Sequence, residues 1–170
     1  MRKVNFWLVY ALTLAVQLLI SNLVGISPLV GISLLPVMIL CLPGRIGTIP
    51  GMLVAFVTGL AVDLLADGLP GLNALALVPV AALRRPIIGM VFGSGLFARN
   101  EDFSARHGSY GKVFMALLLS QLVFCTVYVW ADSGFPAFRW DTLLGIVLST
   151  AAGVTVSLFA IGNLAPDSKR

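Results

Sequence analysis

Apolar runs alternate along this chain with short breaks marked by charge, proline or glycine, and most of the runs are long enough to cross a membrane. Arg2 and Lys3 precede the first, from 4 to 24, which meets the requirement of about 20 residues for a hydrocarbon core. It has no small-residue cleavage site after a short apolar region, so it reads as an uncleaved first helix. Tyr10, Thr13, Gln17 and Ser21 recur at helical spacing and predict a polar face turned into a bundle. Run 29–42 is interrupted by Gly31 and Pro36 and predicts a kinked or re-entrant segment. Runs 46–65 and 69–86 follow, the latter ending at Arg84-Arg85-Pro86. The glycine-rich stretch 87–97 is expected to lie at the interface, and 98–112 to form a solvated cytoplasmic loop. Runs 113–131 and 142–163 complete the chain, with Trp130 and Trp140 flanking the turn between them at interface depth. The pattern predicts an all-α integral membrane protein, a single polytopic domain of six transmembrane helices.

Between the third and fourth runs an apolar helix ends in two carboxylates, turns and re-enters as another apolar helix. Asp63 and Asp67 lie four apart, on one face of a helix end. Carboxylates are costly at the bilayer centre, so this turn is expected at the membrane surface. Gly68, Pro70 and Gly71 supply the reversal. Asp63, Asp67 and Asn73 are expected to cap and pin the turn, or else to contact a partner or polar ligand at the outer surface. Two stripes of small residues, Gly47, Gly51, Ala55 and Gly59 on the third run and Gly145, Ser149, Gly153 and Ser157 on the sixth, predict close helix packing. Either stripe is also a candidate for gripping a partner helix.

Composition agrees with lipid as the solvent. Of 170 residues 59% are hydrophobic and 11% charged, and mean hydropathy is +1.01, too few charges to cover a water-soluble exterior. The net charge of +4 reports orientation and does not suggest a nucleic-acid partner. Threading six spans from a cytoplasmic N-terminus leaves Arg139 outside and the other Lys and Arg, of 11 in all, inside. The acids divide differently: Asp63, Asp67, Asp132 and Asp141 fall outside. So lopsided a cationic partition predicts both termini in the cytoplasm.

Candidate chemistry is sparse. There is no phosphate-loop, C-x-x-C or H-E-x-x-H pattern. The single histidine, His107, lies in the predicted loop, away from the membrane serines. The aspartate pair sits on one helix end, whereas an intramembrane aspartyl protease needs two acids facing each other across helices. Cys41 and Cys125 lie inside apolar runs and read as buried small hydrophobes. The expectation is a protein without enzymatic activity, metal or cofactor.

Gly59-Leu60, then Asp63-Leu64-Leu65, then Gly68, Pro70 and Gly71, then Leu72-Asn73-Ala74-Leu75 resembles the signature of the bacterial rod shape-determining MreD family, in which histidine or asparagine usually stands at the Asn73 position. Pro70 adjoins Gly71 directly here, where many members have an intervening residue. Chain length, six helices and arginines closing the fourth helix extend the resemblance. It implies a component of the cell-elongation machinery in the bacterial cytoplasmic membrane. The implied partners are the bitopic protein MreC and, through it, peptidoglycan synthases. The size and helix count also resemble substrate-binding subunits of energy-coupling-factor vitamin transporters, the alternative reading.

Overall fold

The computed structural model describes residues 6–24, 33–67, 71–93, 110–132 and 140–164. All the regular structure among them is helical: α1 (Phe6–Val24), α2 (Leu35–Leu40), α3 (Thr48–Val62) continued by a π-helical turn (Asp63–Asp67), α4 (Leu72–Phe92), α5 (Tyr110–Asp132) and α6 (Trp140–Leu164). Three stretches, Thr48–Ala66, Leu72–Phe92 and Gly111–Asp132, are long and apolar enough to cross a membrane. Their outward faces carry large exposed apolar side chains, among them Leu53, Phe56, Leu83, Met90, Met115 and Leu122. Patches of that extent are tolerated where lipid, rather than water, covers them.

α3 and α4 form the most extensively packed pair, an antiparallel hairpin, and α5 lies against α4. α5 and α6 make a second hairpin. Gly153 of α6 meets the side chain of Gln121, each residue about midway along its helix.

The shortest helix lies at the centre. α2 touches every other helix, and Leu35, Val37, Met38, Ile39 and Leu40 have no exposed surface. Its six residues rise about 9 Å, against about 30 Å of hydrocarbon, so the described part of run 29–42 does not cross as one helix. Residues 29–32 lie outside the described residues. A buried backbone with so little helix needs partners for its free N–H and C=O groups, and side chains from three other helices supply them. Gln17 Oε1 of α1 accepts from Leu34 N–H at 2.8 Å. Gln121 Nε2 of α5 donates to Ser33 C=O at 3.4 Å. At the other end the Arg84 guanidinium of α4 donates to the carbonyls of Leu40 and Leu42.

This use of Arg84 corrects the expected end of the fourth run. Arg84 is buried within the protein, 4% exposed, whereas Arg85 beside it is exposed. α4 continues through Pro86 to Phe92, so 87–92 are helix rather than a separate interfacial segment. Pro79 and Pro86 both lie inside this helix, as proline can in helices of apolar surroundings. The expected polar loop is also shorter at its end, since 110–112 begin α5; 98–109 lie outside the described residues. Cys41 and Cys125 are free and buried.

Candidate functional site

The α3–α4 hairpin is built around one carboxylate. Gly71 stands at the N-cap of α4 with φ +107°, a conformation that favours glycine, and glycine has no side chain with which to cap. An N-cap side chain ordinarily accepts the N–H groups of the second and third helical residues, here Asn73 and Ala74. Asp63 does so from the end of α3. Its Oδ1 accepts from Asn73 N–H at 2.9 Å and from Asn73 Nδ2 at 3.0 Å. Its Oδ2 accepts from Gly71 N–H at 3.0 Å and Ala74 N–H at 3.1 Å. Each oxygen thus takes two N–H donors, which uses the four lone-pair sites of a carboxylate. The start of α4 also carries the positive end of its helix dipole, so the charge is met electrostatically as well as by hydrogen bonds. Asp63 has no exposed surface.

The π-helical turn at Asp63–Asp67 places this carboxylate against the neighbouring helix end. Leu64 and Leu65 in the same turn face outward, 65% and 66% exposed, so the turn separates a buried acid from an apolar outer surface within two residues. Asp67 closes the turn, with its side chain outside the described residues, as are Gly68 and Pro70.

One turn before Asp63, Gly59 lets the two helices approach. A Cβ there would lie 2.5 Å from Ala74 N and Cα and 2.7 Å from Asn73 C, closer than van der Waals contact permits. Gly59 and Asp63 therefore act on the same two residues of α4, Asn73 and Ala74: one removes bulk, the other binds the N–H groups exposed by the close approach. Gly51 and Ala55 are buried on the same stripe, and Gly47 caps the start of α3 half-buried. On α6, Gly153 is filled by Gln121 of α5. Ser149 and Ser157 are buried and Gly145 half-buried. At Gly59 and Gly153 the two stripes pack within the chain, so these two positions do not present open faces to a partner helix.

The polar face of α1 is used in the same inward manner. Tyr10 Oη and Thr58 Oγ1 share a buried hydrogen bond of 2.9 Å, and Gln17 binds Ser21 Oγ at 3.1 Å as well as Leu34. Thr13 bonds to Val9 C=O of its own helix. What the sequence did not reveal is the convergence of Gln17, Arg84 and Gln121 on residues 33–42. Their one visible signal is that each is a long polar side chain inside an apolar run, where an unpartnered polar group is expensive.

Chemically, a carboxylate whose acceptor sites are all taken by N–H groups is a clamp rather than a base awaiting a substrate. Among the described residues no group of three His, Cys, Asp or Glu side chains is placed to hold a metal ion. Comparison with family models, with curated proteins and with solved structures gave no match.

Proposed function

We propose that this chain is a non-enzymatic membrane component of the bacterial cell-elongation machinery, holding MreC and through it the peptidoglycan synthases. The observation that carries the reading is the correspondence between motif and architecture. Gly59, Asp63, Gly71, Asn73 and Ala74, which carry the resemblance to the MreD signature, are the residues that join α3 to α4. A motif with that job preserves a rigid hairpin end, and a rigid hairpin end is what a scaffold presents to a partner.

The reading includes six membrane crossings with both termini in the cytoplasm of a bacterial inner membrane, supported by the partition of Lys and Arg. Reporter fusions at Arg45, His107 and Arg170 should all report the cytoplasm. Because the small-residue stripes pack internally at Gly59 and Gly153, the grip on MreC belongs to the outward apolar faces and the outer end of the α3–α4 hairpin. Depleting the chain from the cells that make it should turn elongated cells round. Unchanged cell width and length on full depletion would refute the proposal.

A further inference from the structure

The helix that carries Arg84 inward turns the next residue out. Arg85 is exposed, as is Pro86 after it, and both lie inside α4, which runs on to Phe92. Arg85 therefore stands about 10 Å from that end of the helix, where a long basic side chain reaches toward the membrane surface. Steps of three and four toward the start of α4 lead from Arg85 to Ala82, Val78 and Leu75, the first two half-buried and Leu75 52% exposed. Such spacing makes one face of a helix, here an apolar strip on a membrane-length helix that ends in a cation. On the other side of Arg85, Gly89 leaves open space where a side chain would stand. Pro86 adds an acceptor. It has no N–H to give the Ala82 carbonyl, its ordinary helical partner, and that oxygen points along the helix toward Arg85 and Pro86.

We propose that Arg85 and the Ala82 carbonyl hold the headgroup of one phosphatidylglycerol, with the phosphate on the guanidinium, a glycerol hydroxyl donating to the carbonyl, and an acyl chain along Ala82, Val78 and Leu75. A guanidinium presents a fork of N–H donors that matches phosphate, so it serves a phosphate alongside contacts within the chain. The pairing of cation and acceptor selects among membrane anions. An ionised carboxylate on a partner helix offers acceptors only and leaves the Ala82 carbonyl unmet. An ethanolamine headgroup carries a donor but brings a second cation up to Arg85, and a free phosphate has no use for the apolar strip. A phosphoglycerol headgroup meets both groups and brings its own chain.

The test is native mass spectrometry of the full chain, released from detergent with one added lipid of fixed acyl chains. The lipids are phosphatidylglycerol, phosphatidylmethanol, which is an anion without the hydroxyl, and phosphatidylethanolamine, which has a donor but no net charge. The first phosphatidylglycerol should bind roughly fivefold more tightly than phosphatidylethanolamine, the effect of a basic residue on an anionic lipid. It should bind roughly threefold more tightly than phosphatidylmethanol, the effect of one added hydrogen bond. Arg85→Gln should erase the first ratio and Arg85→Lys keep most of it. Pro86→Ala, which restores an N–H to the Ala82 carbonyl, should erase the second ratio and keep the first, with circular dichroism establishing that each variant is folded. Equal binding of phosphatidylglycerol and phosphatidylethanolamine overturns the proposal, as does a preference that survives folded Arg85→Gln. So does phosphatidylmethanol bound as tightly as phosphatidylglycerol, or a ratio between those two that Pro86→Ala leaves unmoved.

Discussion

Asn73 donates twice to the same oxygen of Asp63, from its backbone N–H at 2.9 Å and its side-chain amide at 3.0 Å. The pair ties the end of one membrane-length helix to the start of the next, with no exposed surface on the acid and little on the amide. Its strength is unequal between partners. Asp63→Asn keeps the shape but replaces one accepting oxygen with a donor facing N–H groups, so it should cost about 1–3 kcal/mol or more. Asn73→Ala removes one donor and leaves the backbone bond, at about 0.5–1.5 kcal/mol. Thermal unfolding of the purified chain in detergent checks the order.

Gly59 and Gly51 lie two turns apart on one stripe yet should respond differently to the same added methyl. Gly59→Ala drives a Cβ to within 2.5 Å of Ala74 backbone atoms, which cannot move without breaking the bonds to Asp63. Overpacking of this kind typically costs about 1–3 kcal/mol. At Gly51 the nearest atom is Ile46 Cγ2 at 4.0 Å, ordinary contact, and Gly51→Ala should be neutral or stabilising. The same thermal assay distinguishes them.

Arg84 holds the end of α2, so its loss should release a buried segment. Arg84→Met keeps an apolar stem but leaves the Leu40 and Leu42 carbonyls without their guanidinium donor, a cost of roughly 1–3 kcal/mol for buried polar groups left unmade. Cys41, between those two carbonyls and 1% exposed, gives a local readout. In a Cys125→Ala background, maleimide labelling of Cys41 should be much faster with Arg84→Met than with Arg84 intact. Equal labelling rates would mean that α2 is held by its apolar packing alone.

Ser157 gives a prediction of opposite sign. Its hydroxyl is buried, 1% exposed, with no hydrogen-bond partner among the described residues, so it bears a desolvation cost without a return. Ser157→Ala should leave stability unchanged or raise it by up to about 1 kcal/mol, measured by the same unfolding midpoint.

The hairpin was readable in the sequence because its signals are local: an acid at a helix end, turn residues within five positions, and glycines at steps of four. The fate of 29–42 and of Arg84 was not, because both depend on contacts distant in sequence. Arg84 before a proline has the pattern of a helix end at the interface, and only the carbonyls of Leu40 and Leu42, 42 to 44 residues earlier, make an interior arginine acceptable. Likewise the small-residue stripes say that something packs closely on α3 and α6 without naming it. At Gly59 and Gly153 the occupants are Ala74 and Gln121 of the same chain. The buried polar face of α1 was legible in its spacing, but not its partners, Thr58 and Leu34.

The functional proposal stands on association with MreC, and the most direct measurement is affinity purification of the tagged full chain from the membranes of its own cells. Mass spectrometry should be applied to proteins and small molecules in the same sample. The account predicts MreC in the purified complex, retained by Gly51→Ala and reduced by Asp63→Asn, with no stoichiometric vitamin. Recovery of a bound vitamin at one molecule per chain, with MreC absent from the complex, would contradict it and identify a transporter subunit instead.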